Sequence, residues 1–282
     1  MSSIDKRDTV KVVTSNKFIS AQGLENLSLK ARKLLYIAIA QCHKTDKEFF
    51  ENEITCSDFA AMTGVKVQTV YSEVQKVADE LLEIKLVAQN EKEGAFIKYN
   101  MFSSVSKSAG DGVIKFKLNP DMAPFLLGLK RDFSQPLLSD FVKMKSTYSM
   151  AIWHMMQREM GSKKPLIGHP MKYQLTVEEI RRETGTQDKF KKINDFKRFV
   201  LFSAIRDIET HCDVVISATD IKDGKRVVAF SFIARTIYDD ILIHDDDSIP
   251  QDNNSYIKVD KDEELEMFTG KDGQIELRLF KD

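Results

Sequence analysis

The chain lacks an apolar run long enough to cross a bilayer: the longest, Leu34 to Ala40, falls far short of the roughly 20 residues required. The opening MSSIDKRDTV has no apolar signal core, so a soluble, cytoplasmic protein without membrane contact is expected. Glycine and proline are scarce, at 12 and 6 of 282 residues, which excludes collagen-like and low-complexity chains. Cysteine is scarcer still. Cys42, Cys56 and Cys212 are odd in number and widely scattered, with no C-x-x-C pair, and read as reduced packing thiols rather than a disulfide framework or zinc site. A surplus of either charge is missing too, with 42 Lys+Arg against 43 Asp+Glu. What is present is 42% hydrophobic residues, enough to build a core, in a length that suits two domains.

The near-zero net charge hides a segregation. Residues 1–235 carry 37 basic and 29 acidic side chains, whereas residues 236–282 carry 5 and 14. A basic body with an acidic tail permits a polyanionic partner without requiring one, since net charge governs solubility and nonspecific attraction.

Catalytic signatures are absent from the sequence. Gly224-Lys225 is followed by Arg226, and Thr219 stands where a phosphate-binding loop needs its first glycine. The histidines at 43, 154, 169, 211 and 244 show neither the i, i+4 spacing of a metal pair nor the His-apolar-His pattern of nicking enzymes. Asp245-Asp246-Asp247 is the one dense carboxylate cluster; without a spaced glutamate or a glycine turn it reads as a solvated acidic linker rather than a divalent-ion site. No catalytic residue, metal or cofactor is assigned.

Periodicity organises the rest. Residues 1–13 are polar without a sustained period and read as disordered. Ser28 is the expected N-cap of an amphipathic helix, with Leu34, Leu35, Ala38 and Ile39 on its apolar stripe and Lys30 and Lys33 off it. Ser57 is the expected N-cap of a short helix ending at Gly64. A longer helix follows, its stripe formed by Val67, Val70, Val74, Val77 and Leu81. Short helix, tight turn, long helix is the helix-turn-helix order. Residues 86–90 and 95–105 around EKEG then read as a hairpin and 113–118 as another strand, which makes a winged helix.

The same order returns. A helix over 144–160, the strand MKYQL and a capped short helix, TVEEIRRETG, lead to Gly185. Shifting by 121 positions places Ile54-Thr55 on Leu175-Thr176, Phe59 on Ile180 and Thr63-Gly64 on Thr184-Gly185. The turn TQDKFKKIN leads into DFKRFVLFSAIRDIET, where Phe196, Phe199, Val200, Ala204 and Ile208 form the expected core stripe and Lys197 and Arg198 face out. DVVISAT and RVVAFSFIA flank DIKDGK as a second wing with Lys222, Lys225 and Arg226 at its tip. The fold class is α+β: two tandem winged helix-turn-helix domains related by an internal repeat.

Between Ser139 and Thr210 lie 14 Lys+Arg and 9 Asp+Glu. The basic residues concentrate in Arg181, Arg182, Lys189, Lys191, Lys192, Lys197 and Arg198, around the turn and the start of the second long helix. A recognition helix enters the major groove N-terminus first while the helix before it crosses the backbone, so these cations suit phosphates, and Arg198, Lys197 or Asn194 could reach base edges. The corresponding surface of the first domain offers Lys66, Gln68, Thr69, Ser72 and Lys76, polar but weakly charged.

The opening SNKFISAQGLENLSLKARKLLYIAIAQ resembles the start of plasmid replication initiators of the Rep-3 type. FSQPLLSDFVKMKSTYSMAIWHMMQ, YQLTVEEIRRETG, KINDFKRFVLFSAIRDIE and RVVAFSFIA are similar to that family's second domain, so the resemblance covers roughly residues 13–236. It implies a cytoplasmic bacterial protein that binds repeated sites, iterons, in double-stranded DNA at a plasmid origin. There it helps open the duplex and recruits host replication proteins, and as a dimer in equilibrium with monomer it represses its own gene. The helix starting near Asn194 would be the main reader, with Lys191, Lys192, Lys197 and Arg198 nearest the DNA; the first domain would add a second contact and the dimer surface. The expected division is a disordered N-terminus at 1–13, winged-helix domains at 14–134 and 135–238, and an acidic tail at 239–282, whose role the resemblance does not cover.

The residues alone leave alternatives. A two-domain winged-helix transcriptional regulator would carry the same helices and charges. A DNA-nicking enzyme would need a metal or tyrosine centre, and a protein-binding pair of winged helices would not need the basic face.

Overall fold

The computed structural model describes residues 10–43, 46–90, 95–107, 110, 112–161, 165–166 and 169–237, and the backbone of strands at 265–269 and 275–279. The chain forms two compact units, Met1–Lys164 with Val177–Cys212, and Pro165–Thr176 with Asp213–Asp282.

In the first unit, backbone bonds from Val12 N to Pro136 O and from Leu138 N to Val10 O, both 2.8 Å, tie the start of the described chain down. β1 (Thr14–Ser15) leads into α1 (Asn16–Ile19), then α2 (Leu29–Ala40). Ser28 caps α2 as expected, accepting from Ala31 N at 3.3 Å. The expected amphipathic face is not there: Ala31 to Ile39 are buried without a break, Arg32 and Lys33 included. Burial of the helix takes its polar side chains out of water, and they turn to partners inside the protein, although Arg32 Nε finds none. Arg32 donates to Leu24 O and to Thr147 O, and Lys33 Nζ reaches Thr63 O at 3.4 Å. Burial lowers the Lys33 pKa to about 8.

β2 (Asn52–Thr55) runs straight into α3 (Cys56–Thr63), and α4 (Val67–Glu83) follows. The N-cap is Thr55, not Ser57: the last extended residue of β2 accepts from Asp58 N through Oγ1 at 2.9 Å, which leaves Ser57 already inside the first turn. On α4 the stripe buries Val70, Val77 and Leu81, with Val67 and Val74 half-buried. β3 (Lys85–Asn90) pairs antiparallel with β4 (Ala95–Asn100), and the EKEG turn between them lies outside the described residues. The single strand expected over 95–105 is two. Met101, fully buried, breaks it, and β5 (Phe102–Lys107) joins β6 (Val113–Leu118) in a separate sheet ordered β2-β6-β5. The two strands belong to separate sheets, so the chain leaves one ladder and enters the other at the residue it buries.

α5 (Ala123–Leu126) and β7 (Phe133–Ser134), paired with β1, lead to α6 (Leu138–Lys143) and α7 (Thr147–Glu159). The helix expected over 144–160 therefore starts at Thr147, where Ser146 caps it. Ile152, Trp153, Met155 and Met156 fill the core, and Trp153 Nε1 donates to Asp140 at 3.3 Å. His154 bridges Thr14 Oγ1 at 3.0 Å and Tyr36 Oη at 2.9 Å; burial drives its pKa down to about 3 and that of Tyr36 up to about 12. The unit ends in α8 (Val177–Glu183), α9 (Ile193–Phe196), a π-helical stretch at Lys197–Leu201 and α10 (Phe202–Cys212), the last three forming one continuous helix.

The second unit is a three-stranded antiparallel sheet, β8 (Met171–Thr176), β9 (Val214–Asp223) and β10 (Arg226–Thr236), in the order β8-β10-β9. Tyr173 stacks on Phe232 with centroids 5.2 Å apart, and Phe230 and Phe232 are fully buried. Asp223 pairs with Arg226, which leaves a tight turn at Gly224-Lys225 with Gly224 at φ 58°. Within the acidic tail β11 (Leu265–Thr269) pairs with β12 (Ile275–Leu279); the Asp245-Asp246-Asp247 cluster and residues 1–9 lie outside the described residues. None of the three cysteines is in a disulfide, and Cys56 and Cys212 are fully buried. Among the described residues no helix is long and apolar enough to cross a membrane.

Candidate nucleic-acid interface

The two helix-turn-helix elements start alike. β2 passes through Thr55 into α3, and β8 passes through Thr176 into α8, so the 121-residue shift holds in the order and bounds of the elements. Phe59 and Ile180 are buried at equivalent positions, and each short helix ends on a left-handed glycine, Gly64 at φ 69° and Gly185 at φ 63°.

They diverge in the turn. After Gly64 only Val65 and Lys66 precede α4, whereas residues 186–192 intervene between Gly185 and α9. That longer loop is held by Arg181. Its guanidinium donates to Thr186 O at 2.8 Å, Lys189 O at 2.7 Å and Phe190 O at 2.8 Å, and it sits 4.3 Å over the Phe196 ring. Thr184 Oγ1 donates to Ile180 O at 2.6 Å and lies 2.8 Å from Thr186 Oγ1. The three loop carbonyls and the threonine pair satisfied this way fix the path of a loop that has no regular structure of its own.

Lys189, Lys191, Lys192, Asn194 and Arg198 project from this scaffold, all exposed. No ion pair among the described residues takes Lys189, Lys191, Lys192 or Arg198, so their charge is available to solvent. Lys197 is half-buried, with Nζ 5.7 Å from the Phe202 centroid. Arg182 is half-buried and pairs with Glu183 at 3.2 Å. Burial raises the Glu183 carboxyl to about 7 despite the opposing Arg182 charge. Of the residues singled out on α8, then, Arg181 and Arg182 are engaged within the protein, and the loop and helix start carry the open charge.

Sequence reasoning placed Phe199 in the core stripe, and the structure does not. Its ring is 48% exposed. At about 100° per residue the buried face is set by Val200, Leu201, Ala204, Ile205 and Ile208, and Phe199 falls beyond its far edge. Phe190, held at φ 49°, stacks on Phe199 with centroids 5.8 Å apart, and the Arg198 guanidinium lies 5.1 Å from the same ring. The available signal was the spacing itself: Phe199 is only three residues from Phe196, whereas the dominant series 196, 200, 204, 208 advances by four.

On the first domain's helix, Lys66, Gln68, Ser72 and Lys76 are exposed and Thr69 is half-buried; Ser72 Oγ donates to Thr69 O at 3.1 Å. Lys30 of α2 pairs with Glu73. Asp79, Glu80 and Glu83 follow on the same helix, so its surface carries no net positive field. In the second unit Lys222, Lys225 and Arg226 are exposed at the tip of the β9-β10 hairpin.

The family model described as initiator replication protein, first winged helix, matches residues 11–157, and the companion second winged-helix model matches residues 176–234. The chain is 21% identical to the PI protein of Escherichia coli over 241 residues, 74% of this chain and 78% of that protein. It also resembles the crystal structure of Pi initiator protein in complex with iteron DNA, with a TM-score of 0.69 and 19% identity over 81% of this chain and 98% of that one.

Proposed function

Since the chain belongs to the initiator replication protein family, we propose that it binds repeated sites in double-stranded DNA at a plasmid origin, with the helix from Ile193 as its main major-groove reader, and so initiates replication there. The observation that carries this reading is the open basic face made by Lys189, Lys191, Lys192 and Arg198, exposed and outside every ion pair among the described residues. A relative with the same fold is described bound to iteron DNA.

In this reading the lysines neutralise phosphates and set the register, while Asn194 and Arg198 address base edges. Lys225 and Arg226 on the second wing and Lys66, Gln68, Thr69, Ser72 and Lys76 on the first domain supply secondary contacts. The division into winged-helix domains at 14–134 and 135–238 belongs to the same reading. So do a monomer–dimer equilibrium, repression of its own gene by the dimer, recruitment of host replication proteins and a place in the bacterial cytoplasm. The work is done by binding free energy: two linked modules raise each other's effective concentration, and strain over several occupied repeats favours melting of neighbouring A·T-rich duplex. No covalent step is assigned to the chain.

Footprinting of the full chain on the DNA flanking its own gene tests the proposal. Protection of evenly spaced direct repeats is expected, together with replication of an origin plasmid that receives the protein in trans. Protection of a single palindromic operator with no plasmid rescue would establish the regulator instead. Incubation with supercoiled origin DNA and Mg²⁺ is expected to leave it unnicked.

A further inference from the structure

Phe199 is an exposed phenylalanine beside Arg198, in the first half of the long helix that starts at Ile193. Phe199 keeps 48% of its surface in water, although the same helix buries Phe196, Val200 and Leu201 completely. Arg198 and Ser203, the residue just before it and the one a turn later on the helix path, are exposed as well. The ring is not loose. Phe190 stacks against it at an interplanar angle of 29°, in a loop that Arg181 clamps through three carbonyls, and Arg198 lies 5.1 Å from its centroid. The backbone beneath it is the π-helical stretch Lys197–Leu201, closed by Phe202 N bonding to Lys197 O, a widened turn of the kind enriched at functional sites.

Base edges in the major groove display hydrogen-bonding atoms and one prominent apolar group, the 5-methyl of thymine. A rigid aromatic ring beside a guanidinium matches that pattern, because apolar surface contacts the methyl while the guanidinium donates to an adjoining acceptor. Pre-ordering by Phe190 reduces the entropy lost when the ring is fixed against DNA.

We propose that Phe199 is a specificity-determining residue whose ring contacts the 5-methyl group of a thymine in the bound site. This rests on the DNA-binding function proposed above and adds a base identity to it.

The test uses the full chain and a duplex selected by it from a randomised library. Thymines in that duplex are replaced one at a time by deoxyuridine, which removes only the methyl, and binding is read by fluorescence anisotropy. Wild-type protein is expected to lose about fourfold in affinity at one thymine, the worth of roughly one buried methyl-sized group. Phe199→Ala is expected to bind the unmodified duplex correspondingly more weakly and to show no loss at that thymine. Phe199→Leu, which keeps an apolar contact, retains part of the discrimination. The proposal is overturned if no deoxyuridine weakens wild-type binding, if the selected site has no thymine under the helix, or if Phe199→Ala discriminates as wild type does. Wild-type protein alone can overturn the proposal, and if the alanine variant folds poorly Phe199→Leu, whose discrimination must fall below that of wild type, assigns the contact to this residue. Failure of the underlying reading looks different: wild type would then prefer no selected duplex over a shuffled one.

Discussion

The two helix-turn-helix elements share their skeleton and differ in almost everything on their surfaces. Thr55 and Thr176, Phe59 and Ile180, and Gly64 and Gly185 occupy equivalent places. Outside those positions the first element has a tight turn and a long helix on which Lys66 and Lys76 are outnumbered by Glu73, Asp79, Glu80 and Glu83. The second has a clamped, lysine-bearing loop with its cations open. The difference teaches that a repeat is conserved in its buried and left-handed positions because packing and backbone sterics leave few alternatives there. The exposed positions carry no such constraint, so one copy can specialise for a polyanion.

The largest test of that contrast is charge removal. Changing Lys189, Lys191, Lys192 and Arg198 together to alanine is expected to weaken duplex binding on the order of a hundredfold or more, and to flatten the salt dependence by about 0.9 in slope per lost phosphate contact. Lys66→Ala with Lys76→Ala is expected to cost less than about fivefold. Anisotropy titrations across a salt series measure both, and equal losses from the two helices would erase the distinction drawn here.

Next in size is the clamp. The 121-residue shift places Ala60 opposite Arg181, because the short first turn has no loop carbonyls to satisfy. Arg181→Ala leaves three such carbonyls without their donor and is expected to lower stability by about 3 kcal/mol in urea unfolding. Arg181→Lys, lacking the fork, recovers little of this.

Glu183, where the first copy has Met62, gives a pH signature. Its folded pKa of about 7 lies above its unfolded value, so the folded state holds the proton more tightly. Stability contributed at low pH is therefore lost as pH rises through about 7. Glu183→Gln is expected to remove this decline, gaining up to about 3 kcal/mol at pH 8 relative to its effect at pH 4. Urea melts at the two pH values measure it, and an unchanged pH profile would contradict the assignment.

The smallest effect distinguishes the two glycines. Gly64→Ala meets only the left-handed backbone penalty, about 1 kcal/mol, since nothing lies within 4 Å of the added methyl. Gly185→Ala meets the same penalty and also Glu25 Cβ and Cγ at 3.3 Å, and is expected to cost about 2 kcal/mol. Thermal melts of the two single variants rank them.

Much of the fold was legible because its signals are local. Ser28 as a cap, the glycine ends of α3 and α8, the four-residue advance of the core on the last helix and the wing turn at Gly224 each follow from sterics within a few residues. The misreadings share a cause. Ser57 has the residue type of a cap, but the strand before it runs on to Thr55; residues 95–105 alternate like one strand, and alternation does not say which neighbour a strand pairs with. The basic cluster was visible in composition. The division of labour within it was not, since nothing in the letters separates Arg181, which holds the loop, from Arg198, which is exposed.

The sequence by itself determined the order of helices and strands, their duplication and the separation of a cationic body from an acidic tail, because periodicity, capping and charge are properties of neighbouring residues. Only the tertiary structure decided which polar groups are taken out of water, as with Arg32, Lys33 and His154, and which aromatic ring is left in it, as with Phe199. Burial depends on what packs against a face from elsewhere in the chain, and a helix carries no record of how many partners it will have.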